Sequence, residues 1–248
     1  MMAGGGVTSD RDPIHSIQGT MGELEIFVEG NQQFGTYGAV HAYMDSSVQR
    51  ALEAGVMSIE HGNLMSDPKS FHMVADRGAW LVPALGGFAD ELMDHPYYGN
   101  PANPAHAKAK KVYSNRQTWV KLAKKYNVNL GFGTDIVVVS REASRNLRDF
   151  QITQWGQIFG NYRTLKAMTG DNGRLMALTG ENNPYPGKLG VIEEGAYADI
   201  ILVDGNPLED LSVLGAAPSM FKSKPRLTNT VQTIPFVMKD GEIYRNEL

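Results

Sequence analysis

The chain has 248 residues, 42% of them hydrophobic, enough to bury a sizeable core in one large domain or one and a half. A net charge of −4 without a dense Lys/Arg patch gives no reason to invoke nucleic acid or an anionic membrane surface, so small-molecule chemistry is the default. The absence of cysteine excludes disulfides and thiolate ligands, and any metal must be held by imidazole and carboxylate. No apolar run approaches the roughly 20 residues of a membrane span, and the opening Met1-Met2-Ala3-Gly4-Gly5-Gly6 lacks a charged n-region and an h-region. No export signal is read, and cytoplasmic residence is the default expectation.

The run Gly4-Gly5-Gly6 lacks both a preceding strand and the Gly-Lys-Ser/Thr of a phosphate loop, so that reading is rejected. Residues 35–85 read as one β/α step repeated twice. Tyr37-Gly38-Ala39-Val40 ends in His41 and predicts a strand. Asp45-Ser46 then caps a helix whose stripe is Val48, Ala51 and Leu52, and Gly55 stops it. Val56-Met57-Ser58-Ile59-Glu60 ends in His61 and predicts the second strand. Asp67-Pro68 starts the next helix, with Phe71, Val74 and Ala75 on its apolar face and Gly78 after it. Ala79 to Leu85 predicts a third, buried strand. The stretch from Gly86 to Pro104 reads as a long loop, and a helix from about Ala105 to Tyr126 leads to a fourth strand, Leu130-Gly131-Phe132-Gly133-Thr134, that ends in Asp135.

Beyond residue 140 the pattern changes. Residues 145–180 predict helix, and Asn182-Asn183-Pro184-Tyr185-Pro186-Gly187 breaks it. Short β segments follow: Leu189 to Ile192, Ala198 to Val203, and Ile234 to Met238. The last returns through a Lys239-Asp240-Gly241 hairpin into Glu242-Ile243-Tyr244. The organisation expected is residues 1–180 as a β/α unit and 181–248 as a small β appendage.

The candidate chemistry lies at strand ends. Twenty residues separate His41 from His61, about one strand-helix-strand step, so both emerge at the same edge of a parallel sheet, where α/β enzymes keep their active sites. Asp135 ends a later strand. Tyr43, two residues beyond His41, either reaches a substrate carboxylate or packs under a loop. His72 lies off its helix's apolar face and reads as surface. His15, His95 and His106 fall in loops or at a helix start, where histidine is ordinarily solvated. The loop holding Asp94-His95-Pro96-Tyr97-Tyr98 is nonetheless long enough to shape substrate choice, which keeps His95 as a substrate-binding candidate.

Four motifs in order carry a family resemblance: His41-Ala42-Tyr43; Ala54 to Gly62 (AGVMSIEHG); Gly133-Thr134-Asp135; and Lys188 to Asp199 (KLGVIEEGAYAD). Together they resemble the amidohydrolase superfamily, in its imidazolonepropionase-like and Xaa-Pro dipeptidase (prolidase) branch. That resemblance implies a metal-dependent hydrolase on a (β/α)8 TIM-type barrel with a small β-sandwich. His41 would be the metal ligand after barrel strand five, His61 the ligand after strand six, and Asp135 the strand-eight carboxylate that binds metal and carries the proton. The metal would be divalent, zinc foremost, and the substrate a Xaa-Pro dipeptide or an N-acyl amino acid, with esters as a further class.

The chain departs from the family by lacking any His-x-His, and its opening resembles the glycine-rich stretch that directly follows the family's carboxylated lysine. The expectation is therefore the C-terminal half of a barrel, strands five to eight, plus a C-terminal sandwich segment. Four strands cannot close a barrel of about eight, so open edges and the half-covered interior of Ala79 to Leu85 predict a homodimer or larger oligomer. The competing expectation is a metal-free remnant with an assembly or binding role and no hydrolase activity of its own, in which no cofactor is bound.

Overall fold

Val40, Ile59, Leu81 and Leu130 form one row across four parallel strands, and all four are buried. They belong to β1 (Ala39–Ala42), β2 (Ser58–His61), β3 (Trp80–Val82) and β4 (Asn129–Leu130), paired in that order. A parallel pair needs a crossover, and helices supply it here: α2 (Asp45–Ala54), α3 (Pro68–Asp76) and α4 (Pro104–Tyr126) link successive strands. They pack side by side with α1 (Met21–Gln33) in the order α1, α2, α3, α4. The α/β class with a parallel sheet is thus as the sequence leads one to expect. The computed structural model describes residues 1–136, 140–185, 187–221 and 231–248.

Two compact units divide the chain. The first comprises Met1–Gly133 with Leu178–Asn182 and holds the parallel sheet; the second comprises Thr134–Ala177 with Asn183–Leu248. In the second unit, α5 (Arg141–Phe159) and α6 (Asn161–Lys166) lead through a π turn at Ala167–Asp171 into α7 (Asn172–Met176). The π turn buries Asp171, whose carboxylate takes Arg163 at 3.0 Å and Arg174 at 2.8 Å, with Lys166 at 3.7 Å. The same unit carries an antiparallel sheet of β5 (Ile200–Leu202), β6 (Phe236–Lys239) and β7 (Glu242–Asn246). Asp240 and Gly241, both at positive φ (52° and 79°), make the two-residue turn between β6 and β7, as the Asp-Gly pair predicts.

Several expectations are corrected. Asp45 does not cap α2: Met44 is the N-cap and makes no side-chain bond. The Asp45 carboxylate instead accepts from the Ser66 and Asp67 backbone amides and from the Ser70 hydroxyl at 2.6 Å, tying the turn after β2 to the start of α2. Asp67 does cap α3, with Pro68 at its first position. The fourth strand stops at Leu130, although Gly131 N still donates to Leu81 O. β3 ends at Val82 because Pro83 has no N–H to continue the ladder.

Within Ala79 to Leu85, Ala79, Trp80, Leu81, Pro83 and Leu85 are buried within this chain, while Val82 and Ala84 are half covered. The stretch 86–104 is no open loop, since short 3₁₀ turns at Leu85–Phe88 and Asp90–Asp94 bury Leu85, Phe88 and Leu92. Leu189 to Ile192 forms no strand; Gly190 sits at φ 69° where a Cβ would stand 2.3 Å from the Thr169 carbonyl carbon, and Ile192 is 94% exposed. Within the segment Asn182 to Gly187, Pro186 lies outside the described residues.

Candidate metal centre

The strand ends bring His41, His61 and Tyr43 together. The two imidazoles meet edge to face with ring centroids 4.5 Å apart. Tyr43 lies flat on His61, with centroids 4.6 Å apart and planes 10° from parallel, and meets His41 edge-on at 5.4 Å. β1 delivers His41 and, directly after its last residue, Tyr43, while β2 delivers His61. Gly62 N donates to Ala42 O at 2.8 Å and Leu64 N to Tyr43 O at 3.0 Å, so the turn after His61 is stitched to the end of β1.

Helix α4 fixes the same turn from the other side. The Asn115 amide donates to Asn63 O (3.0 Å) and Met65 O (2.9 Å), and Trp119 Nε1 donates to Gly62 O at 2.9 Å. Trp119 is fully buried between Phe71 and Phe88. These α4 residues escaped sequence reading because a side chain reaching a carbonyl some fifty residues away leaves no local pattern. Glu60 was also passed over. It is the Cα partner of His41 across the β1–β2 pair and accepts from the Ser58 hydroxyl at 2.8 Å. Its position one before a strand-end histidine, opposite another, was the available signal.

Burial sets the protonation of the pair. His61 is 6% exposed, and desolvation, with a smaller contribution from His41 beside it, lowers its pKa to about 3. Desolvation also lowers that of His41, opposed by a contact with the Gly5 backbone. Both rings are therefore neutral near pH 7, the form that ligates a metal. His41 Nε2 is buried and has no hydrogen-bond partner among the described residues, nor have the two polar atoms of the Asn63 amide. Buried polar atoms are ordinarily satisfied, so an open imidazole nitrogen marks a place for a ligand.

His61 and Asp135 also share a backbone feature. Among the described residues, the non-glycine residues at positive φ are His61 (76°), Asn127 (46°), Asp135 (49°) and Asp240 (52°). Asn127 ends α4 and Asp240 turns the last hairpin, which accounts for both. His61 and Asp135 are neither cap nor hairpin, and held strain of this kind, of order 1–3 kcal/mol, gathers at functional sites. Asp135 is the second residue of the second unit, where Gln151 of α5 donates to the carbonyl of the preceding Thr134. Asp135 remains accessible to water, yet the protein around it raises its carboxyl pKa by desolvation. His95 follows the second 3₁₀ turn; its Nδ1 accepts from Tyr97 N at 3.1 Å and its ring packs on Tyr98 at 5.1 Å.

Two neutral imidazoles, one with an open Nε2, are donors that zinc accepts, and in that respect the pair fits a metal. Among the described residues, however, no group of three or more His, Asp or Glu is gathered closely enough to hold one. A catalytic zinc usually takes three protein ligands, so the pair fills two of those places.

The comparisons agree with this fold. A crystal structure of an amidohydrolase matches all of this chain and 54% of its own, at TM-score 0.80 and 31% identity. A prolidase complexed with N-methylphosphonate-L-proline matches 99% of this chain and 54% of its own, at 0.78 and 28%. The ochratoxinase of Aspergillus niger is 24% identical over 86% of this chain and 42% of its own length. The chain thus spans about half the length of the proteins it matches. The model of the amidohydrolase family matches residues 1–243, and the chain belongs to that family.

Proposed function

We propose that this chain carries the C-terminal half of a metal-dependent hydrolase that cleaves an amide bond. In this reading β1 to β4 are barrel strands five to eight and β5 to β7 are part of a small β-sandwich. The observation that supports it most is the convergence of half-buried His41 and buried His61, both neutral, from two adjacent parallel strands. His41 and His61 would hold a divalent metal, zinc foremost, with Asp135 as a further ligand. Bound there, the metal would lower the pKa of a water and polarise the scissile carbonyl.

The chain's own residues do the rest. Asp135 accepts the proton of the attacking water and returns it to the leaving nitrogen, and its raised pKa brings it closer to the working pH of such a base and acid. Tyr43 and His95 serve substrate binding: Tyr43 from its place against His61, His95 from the turn that precedes α4. The substrate class proposed is a dipeptide with C-terminal proline or an N-acyl amino acid, and esters are a secondary class. The resemblance to a prolidase and an ochratoxinase supports an amide substrate without choosing between these.

A panel of Xaa-Pro dipeptides, N-acyl amino acids and esters, assayed with added zinc and with chelator, tests this. Metal-dependent turnover of at least one amide is expected; no turnover of any member in either condition would contradict it. One observation favours the second reading, a metal-free remnant that binds or assembles: the lack of a third ligand beside the pair among the described residues. That reading expects no turnover and no retained zinc.

A further inference from the structure

Lys108, half-buried near the start of α4, gives its ammonium to three backbone carbonyls: Gly6 at 3.1 Å, Asp12 at 2.6 Å and Ser9 at a shorter distance. An ammonium has three N–H donors, and all three here go to one segment about a hundred residues away in sequence. A surface lysine ordinarily keeps its head in water, so this one shapes the chain that surrounds it.

The segment it holds runs past His41. Ala3 N donates to His41 O at 2.9 Å and His41 N to Met1 O at 3.0 Å, which lays the first residues alongside β1. Farther on, Gly5 N donates to Ser16 O at 3.1 Å. A Cβ at Gly6 would stand 3.2 Å from His41 Nε2 and 3.4 Å from Cε1. That Nε2 is the buried nitrogen with no hydrogen-bond partner among the described residues. Glycine at position 6 therefore leaves clear the space that a side chain would fill, and the carbonyl gripped by Lys108 belongs to the same residue.

We propose that Lys108 is a positioning residue: by holding the Gly6 carbonyl it sets the Gly4–Asp12 backbone at the distance from His41 that keeps Nε2 open to a ligand. The coupling between Lys108 and the His41 ring stands on geometry alone. Its consequence for metal binding rests on the proposed function above.

The test uses the full chain with zinc as the probe. Lys108→Met keeps the apolar stem and removes the donors. Two quantities are read: zinc affinity by chelator competition, and the His41 imidazole NMR resonances of the metal-free protein. Lys108→Met should displace those resonances and weaken zinc about tenfold or more, as loss of outer partners of a metal ligand typically does. Lys108→Arg, which restores donors and charge, should recover most of both. Gly6→Ala should reproduce the loss with Lys108 intact, because its methyl stands against Nε2.

Unmoved His41 resonances in Lys108→Met overturn the proposal, whatever happens to the melting temperature. If that variant does not fold, unmoved resonances in Gly6→Ala overturn it equally. A wild type that fails to bind zinc while its resonances respond to Lys108→Met refutes the metal reading and leaves the positioning intact. The converse pattern does the opposite.

Discussion

His61 leaves β2 at φ 76° with its ring against those of Tyr43 and His41, a placement that costs strain and desolvation together. The desolvation has a sign that can be measured. In chelator-treated protein the unfolded His61 titrates near 6.5 and the folded one at about 3, so between those values the unfolded state binds more protons. Stability should be unaffected by this group above about pH 6.5 and fall steadily as pH drops towards 3. Urea midpoints of wild type against His61→Leu across that range check it; parallel profiles would show that His61 is not buried as described. For Asp135, replacement by Asn is the sharper test, because Asn also tolerates a left-handed backbone and only the proton acceptor is lost. Turnover should fall about 10² to 10⁴-fold, and wild-type rates in Asp135→Asn would place the chemistry elsewhere.

At the scale of elements, α4 is the support of the site. Asn115→Ala removes the donors to Asn63 O and Met65 O, two bonds at roughly 0.5–1.5 kcal/mol each, so a loss of about 1–3 kcal/mol is expected in urea unfolding. No loss would show that the turn after His61 holds itself. In the second unit, Asp171→Asn strips a fully buried carboxylate from Arg163, Lys166 and Arg174, and should cost about 3 kcal/mol, the low end for a broken buried pair because the cations reach water. Unchanged stability would mean the four charges contribute nothing net.

Much of this architecture was legible in sequence. Asp67-Pro68, Gly55 and Asp240-Gly241 are local signals whose chemistry acts within a few residues, and each sits at the element end it marks. The apolar runs ending in His41 and His61 located both strands, and twenty residues of spacing put the rings at one edge. Helix α1 was missed although Thr20 and Glu23 form a capping box, since its buried positions, Leu24 and Val28, make too thin a stripe to stand out. Lys108, Asn115 and Trp119 were illegible for another reason: their bonds go to carbonyls, which every residue has. Asp45 read as a cap because the same oxygens that cap a helix also bind a neighbouring turn.

For the whole molecule, the second unit's sheet leaves Ile201, Leu202, Ile243 and Tyr244 between 43% and 66% exposed. Exposed apolar strands and open edges drive association, so a homodimer or larger closed oligomer remains the expectation, with more than about 2,000 Å² buried per interface. Light scattering at micromolar concentration should return at least twice the chain's mass; a stable monomer would rule this out. Among the described residues no helix is long and apolar enough to cross a membrane.

The claim on which the rest depends is that His41 and His61 hold a metal. Elemental analysis of protein purified without chelator tests it directly, with His41→Ala and His61→Ala prepared alongside. Near-stoichiometric zinc or another divalent ion in the wild type, lost in both variants, is the predicted result. Well below one ion per chain in the wild type, or undiminished metal in the variants, would contradict it.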